Sequence, residues 1–315
     1  MKSKILSIIL KYLRSKPLLK ESGINKYRSL LEKSAKIFKI DKHVNFKKFY
    51  INSIACQWII PHDFTGSQTI LYLHGGGFIA GSINSHKDLA TRIAKESKAQ
   101  LLIINYRLAP EHKFPAGLND AITAYEWLLN KKIPSEKITI AGDSAGANLA
   151  LSLVLSIKEK KIPMAKNMVL LSPWVDLECK SNSYDLNKKK DPMLNKKSLC
   201  ATAEFYAGQE NLSNVLVSPI NGNLQGLCPM LIQAGDCEIL QDDAVRLANI
   251  AEKAGVKVEL EIWENMFHVW HYFSRYLPQG RKAIKKIGQF IQTNCHKADL
   301  IFNSQLTSQQ NMKKY

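Results

Sequence analysis

Short apolar runs alternate with longer stretches of helical spacing along most of the chain. The runs Thr69–His74, Leu101–Tyr106, Lys137–Ala141, Met168–Ser172, Pro229–Ala234 and Val256–Trp263 are nearly continuous in apolar character and too short for stable helices, so they predict buried strands. Between them, Lys87–Glu96, Gly117–Asn130, Ala145–Glu159 and Asp242–Ala254 carry apolar residues at helical spacing, and a last helix is predicted over Gly280–Thr293. Upstream, "VNFKKFYI" and "IACQWII" alternate as two early strands. This order predicts an α/β fold with a mostly parallel sheet covered on both faces.

Two regions depart from the rhythm. Residues 1 to 40 read as helices in two pieces, broken near Pro17 and Gly23. The first, "MKSKILSIILKYLRSKP", sets Ile5, Ile9, Tyr12 and Leu13 on one helical face. Lys11 and Arg14 interrupt its apolar run and no small-residue cleavage site follows, which argues against a signal peptide and a membrane span. It is expected to cover the core or a site, with peripheral contact to a membrane surface as the alternative. The stretch from Asn182 to Val217 is lysine-rich, then helical around "KSLCATAEFYAG", and reads as an insertion over one end of the sheet. The tail after Lys297 is polar and expected to fray.

Composition narrows the function classes. With 315 residues and 45% hydrophobic content the chain can build one large domain with an elaboration, or two modest domains, and global disorder is not expected. The formal net charge of +17 invites a nucleic-acid reading. The lysines are dispersed, however, and no recognition motif accompanies them, so a solvated basic surface without a nucleic-acid partner is expected. The six cysteines form no Cys-x-x-Cys pair and no zinc spacing. Reduced thiols in a cytoplasmic protein are the simplest reading.

Ligands of open α/β sheets bind beyond the carboxyl ends of the strands, so the residues after each strand carry the candidate chemistry. After "TILYL" comes "HGGGF", His74 to Phe78, whose glycines let the backbone turn sharply and aim amides at a developing negative charge. A flexible or phosphate-cradling loop is the alternative, without the usual phosphate-loop spacing. After "KITIA" comes "GDSAG": Gly-x-Ser-x-Gly marks a strand-to-helix elbow that exposes Ser144 and sets the Ala145 amide at a helix N-terminus. A serine hydroxyl needs a base. Of the histidines beyond Ser144, His296 lies in the tail and His271 falls where a helix can begin; His268 follows the last predicted strand and is the candidate. An acid should follow "PMLIQA", where "GDCEILQDDA" offers four. Asp242 and Asp243 suit the first turn of the next helix, which leaves Asp236 and Glu238 open.

In this order, "YLHGGGF", "NYRLAPEHKFPA" (Asn105–Ala116), "AGDSAG", "SPWVDL" (Ser172–Leu177), "GDCEILQDD" and "MFHVW" resemble the hormone-sensitive-lipase-type carboxylesterases, the HGGG family of the α/β-hydrolases. The resemblance covers residues 40 to 294. It implies an α/β-hydrolase fold and a serine esterase without metal or cofactor, acting on small esters of short to medium acyl length. Ser144 would be the nucleophile, His268 the base, and the amides of Gly76, Gly77 and Ala145 the oxyanion hole, with His74 supporting the glycine loop. The family's Asp-Pro-Leu-x-Asp pattern, set on Leu240 and Asp242, makes Glu238 the acid in place of the commoner aspartate, and Ile239 stands where proline is usual; Asp236 is the alternative. The resemblance further implies N-terminal cap helices over 1–40, a catalytic domain over 41–296 with a cap insertion at 182–217, a tail over 297–315, and a monomer or homodimer. An acyltransferase or amidase with the same triad would share these residues. A non-catalytic binding protein of this fold would be expected to lack the histidine.

Overall fold

The computed structural model describes residues 21–35, 40–66 and 68–293. Eight strands form one sheet: β1 (Val44–Ile51), β2 (Ile54–Pro61), β3 (Thr69–Leu73), β4 (Gln100–Ile104), β5 (Ile138–Asp143), β6 (Asn167–Leu171), β7 (Met230–Gly235) and β8 (Val258–Trp263). Their spatial order is β1-β2-β4-β3-β5-β6-β7-β8. β1 pairs with β2, and β2 with β4, in antiparallel fashion. From β4 to β8 every pairing is parallel.

The helices are α1 (Glu21–Ala35), α2 (Ile83–Glu96), α3 (Ala116–Asn130), α4 (Ala145–Glu159), the short α5 (Ser183–Leu186), α6 (Lys196–Ala207), α7 (Gln241–Lys253) and α8, described over 278–293. The central strands are buried on both faces, and the two-residue period of a strand divides their side chains. Leu71 and Leu73 of β3, with Leu102 and Ile104 of β4, join the core made with α3, α4 and α7. Ile70 and Tyr72, with Leu101 and Ile103, join the core under α2 and α8. This explains why these strands read as apolar runs rather than alternating ones.

Most of the expected elements lie within two residues of the observed bounds, and two differences go further. Helix α2 begins at Ile83 rather than Lys87, because Ser82 and Ser85 form a reciprocal capping box: the Ser85 amide donates to Ser82 Oγ (3.1 Å) and the Ser82 amide to Ser85 Oγ (2.8 Å). Helix α1 runs through Gly23 without a break. A glycine in a helix costs only about 1 kcal/mol, and tertiary contacts hold α1: Ile24 is buried, and Arg28 donates to the carbonyls of Ile79 (2.6 Å) and Ala109 (2.9 Å) while pairing with both oxygens of Glu111. The Glu32 carboxylate accepts from the Ser82 hydroxyl. Helix α1 is thus tied to the segment that follows the three glycines. The amphipathic segment around Ile5 to Leu13, Pro17 and the tail over 297–315 lie outside the described residues. No helix among the described residues is long and apolar enough to cross a membrane.

Residues 182–217 contribute α5 and α6. Leu199, Ala203 and Tyr206 of α6 are buried in the main core, and the Tyr206 ring stacks on Phe78 with centroids 3.8 Å apart. Helix α6 therefore lies directly against the HGGGF loop.

Candidate active site

The elbow is made by β5 running into α4. Ser144 sits between them at φ 54° and ψ −120°, a conformation that costs a residue with a side chain. Its amide donates to the Leu171 carbonyl (2.8 Å), which anchors the turn to β6. The flanking glycines are sterically required. A Cβ on Gly146 would stand 2.0 Å from the Leu73 carbonyl oxygen, and one on Gly142 would stand 2.3 Å from the Gly146 carbonyl oxygen. These neighbours are backbone and cannot swing away. Gly146→Ala is therefore expected to destabilise by about 3 kcal/mol, against about 1 kcal/mol for Gly226→Ala, where φ is positive but the space is open. Thermal unfolding compares them, and equal losses would contradict the packing argument.

The glycine loop is held from beneath. Asp143, the residue before Ser144, is buried and accepts from Tyr72 Oη (2.7 Å) and the Gly75 amide (3.1 Å), and its carboxylate lies 3.4 Å from His86 Nε2. Burial opposes its charge, but His86 and the Tyr72 hydroxyl outweigh that and keep the Asp143 carboxyl below its ordinary value. His74 stacks on Tyr106 at 4.3 Å, with Nδ1 2.9 Å from the Gly75 carbonyl oxygen. Burial, then neighbouring His86, pushes His74 down to about 3. His74 is therefore neutral, and its Nδ1–H is the donor to Gly75. The Gly76 carbonyl accepts from Ile79 (3.3 Å) and Ala80 (3.0 Å), closing the loop on itself. Among the described residues no protein acceptor takes the amides of Gly76, Gly77 or Ala145.

The other half of the site comes from the loops after β7 and β8. His268 Nε2 lies 2.9 Å from Ser144 Oγ, and its Nδ1 lies 2.8 Å from Glu238 Oε2. Glu238 Oε1 accepts from the Gly235 amide (2.6 Å) and Ser172 Oγ (2.8 Å). Glu238 is fully buried; Ser144 and His268 are 8% and 5% exposed. Burial opposes the imidazolium, but the hydrogen bond and charge of Glu238 prevail and hold His268 above its ordinary value. Asp236 is not brought to the histidine: its Oδ1 accepts from the Cys237 thiol at 3.3 Å. Asp242 accepts from the Ser183 amide, and Asp243 from the amides of Val175 and Asp176 and from Ser181. His271 is buried and pairs with Gln233.

The sequence and the fold have counterparts among known proteins. Residues 70–272 match the model of a family described by its alpha/beta hydrolase fold. The chain belongs to the α/β-hydrolase family. An acetyl-hydrolase of Streptomyces hygroscopicus is 40% identical over 77% of this chain and 81% of that protein. An esterase of Acinetobacter venetianus is 33% identical over 84% and 88%. An esterase from the bacterial hormone-sensitive lipase family superposes with a TM-score of 0.89 at 34% identity, covering 92% of this chain and 97% of that one. The chain is an α/β-hydrolase of the hormone-sensitive-lipase type, a hydrolase of the esterase class.

Several contacts of this hydrolase have no signal in the sequence reading. Asp143 occupies the unspecified second place of Gly-x-Ser-x-Gly, yet it organises the glycine loop. His86 lies in no motif, yet it supports that same loop through its 3.1 Å contact with the Gly75 amide. Asn187 and Asp191, from the lysine-rich stretch, grip the acid loop. Asn187 donates to the carbonyls of Asp236 (3.1 Å) and Glu238 (2.9 Å), and Asp191 accepts from the Ile239 amide (2.9 Å).

Proposed function

We propose that this α/β-hydrolase is a serine carboxylic-ester hydrolase for short- to medium-chain acyl esters, working through an acyl-enzyme. The observation that carries the reading is the unbroken chain from Ser144 Oγ to His268 (2.9 Å) and from His268 to Glu238 (2.8 Å), ending on a fully buried carboxylate. Ser144 Oγ attacks the ester carbonyl carbon as His268 Nε2 takes its proton. Glu238 stabilises the imidazolium through Nδ1–H. The carbonyl oxygen becomes an oxyanion held by the amides of Gly76, Gly77 and Ala145, with the N-terminus of α4 adding its dipole. Collapse breaks the C–O bond, and the leaving alcohol takes the proton from His268. Water, deprotonated by the same His268, then attacks the acyl-serine and frees the acid.

The acyl-length part of the proposal rests on the cover over the site. A Cβ on Gly77 would stand 3.0 Å from the Thr202 methyl of α6, and Tyr206 stacks on Phe78, so little room remains above the glycine loop. A related esterase, EstE5, has been crystallised after soaking with p-nitrophenyl butyrate (36% identity, TM-score 0.87). On p-nitrophenyl acetate, butyrate, octanoate and palmitate, kcat/KM is expected to peak at the first two. A peak at palmitate would overturn the acyl-length reading, and no turnover of any ester would overturn the function. Phenylmethylsulfonyl fluoride should sulfonylate the Ser144 hydroxyl with loss of fluoride, and the peptide holding Ser144 should gain the mass of the phenylmethylsulfonyl group in place of the hydroxyl proton.

The acid limb of kcat/KM should report His268, which must be neutral to accept a proton. Because Glu238 holds it above its ordinary value of 6.5, activity should rise with pH through a midpoint above 6.5. Stability runs the other way. A raised folded-state value means that the His268–Glu238 pair stabilises fully below about 6.5 and that this contribution is lost as pH rises through the folded value. Activity and this part of the stability therefore exchange over the same window. A pH–rate profile with its midpoint at or below 6.5 would contradict the assignment.

A further inference from the structure

We propose that Ser172 is a positioning residue that makes a glutamate competent as the acid of this site; the proposal rests on the triad reading above. Ser172 begins the "SPWVDL" segment, just past β6, and is fully buried. Its hydroxyl makes two contacts whose directions are fixed by chemistry. The Val269 amide, 3.0 Å away, can only donate. The ionised Glu238 carboxylate, 2.8 Å away at Oε1, can only accept. The hydroxyl must therefore accept from Val269 and give its single proton to Glu238. One side chain thus joins the acid to the residue that follows the base.

Two features make this joint consequential. First, a glutamate has one more rotatable bond than an aspartate, so its carboxylate has more ways to miss the imidazole. Here Oε1 is fixed by Ser172 and the Gly235 amide, which leaves Oε2 aimed at His268 Nδ1. Second, both ends of the Ser172–Val269 bond sit in left-handed backbone, Ser172 at φ 45° and Val269 at φ 47°. For a β-branched valine this is unfavourable and persists only where the surroundings hold it. The bond therefore steadies the backbone that sets the direction of His268. Ser172 need not touch substrate to matter; it acts through Glu238 and His268.

The test uses Ser172→Ala and Ser172→Gly, with p-nitrophenyl butyrate as substrate. Glycine adopts φ 45° without strain, so it removes the hydroxyl while relaxing the backbone, and it carries the test should the alanine variant fold poorly. In both, kcat is expected to fall by about 10–100-fold, with KM changed by less than about threefold. The acid limb of kcat/KM should also move to lower pH. His268 is raised by Glu238 first and by the more distant Asp191 and Asp143 after it, and only the Glu238 contact loosens in these variants. A structural role alone would lower Tm and leave the limb in place. Unchanged kcat and an unchanged limb overturn the proposal, whatever happens to Tm. Ser144→Ala run alongside separates the two readings. If it is inactive while the Ser172 variants are unaffected, Ser172 has no positioning role and the triad stands. If Ser144→Ala remains active, the triad reading itself has failed.

Discussion

Replacing Ser144 with alanine is expected to lower kcat/KM for p-nitrophenyl butyrate by about 10⁴-fold or more. The remaining amides of the glycine loop can still polarise a bound ester, so activity should fall to a residue rather than to nothing. Ser144→Gly should lose as much activity but give the more stable protein. Both variants lack the hydroxyl, and only alanine keeps a Cβ at φ 54° and ψ −120°. Strain of this kind amounts to about 1–3 kcal/mol, which corresponds to roughly 2–6 °C in Tm for a chain of this size. The geometry that lifts the hydroxyl towards His268 thus costs the folded state something that glycine would recover. Kinetics and thermal unfolding of the two variants check both halves. Activity within tenfold of the wild type in either variant would remove Ser144 from the mechanism. A glycine variant less stable than the alanine one would remove strain from the account of the elbow.

The fold was legible wherever a local pattern determines it. The continuous apolar character of β3 and β4 follows from Ile70 and Tyr72 facing one helical layer and Leu71 and Leu73 the other. That doubly buried state is visible in sequence because no alternation is needed. The start of α2 was less legible, since "SINS" reads as loop until the two serines are seen to cap one another. Continuity of α1 through Gly23 depends on Arg28 reaching Ile79 and Ala109, more than fifty residues away, which no local window contains. The site divides in the same way. Ser144 and His268 sit in short motifs at strand ends, so their chain order pointed to them. The choice between Asp236 and Glu238 could not be made from composition, because neighbouring carboxylates in one loop differ only in which way the backbone turns them. The Glu238 side chain folds back onto the Gly235 amide, and that turn aims its second oxygen at His268. The support of Asp143 by Tyr72 and His86 spans long sequence separations and has no motif.

Glu238→Gln is expected to cost about 10³–10⁴-fold in kcat/KM, and Asp236→Asn less than about threefold. Glutamine has the shape of glutamate, so the loss would come from chemistry rather than packing. The Gly235 amide and the Ser172 hydroxyl both donate to the position of Oε1. The glutamine must place its carbonyl oxygen there, which turns its NH₂ towards His268 Nδ1. Nδ1 then has to accept, the ring proton moves to Nε2, and the nitrogen facing Ser144 can no longer take a proton. Without the carboxylate, the charge that holds His268 above its ordinary value is also gone, so residual activity should titrate at lower pH than in the wild type. Asp236 has no comparable contact; its carboxylate meets the Cys237 thiol. Glu238→Asp adds a graded case. A carboxylate one methylene shorter cannot keep the donors on one oxygen and reach His268 with the other, so an intermediate loss of about 10–100-fold is expected. If Asp236→Asn abolished turnover while Glu238→Gln kept it, the acid would be Asp236, and the loop would have to rearrange from the geometry seen here to bring that carboxylate to His268.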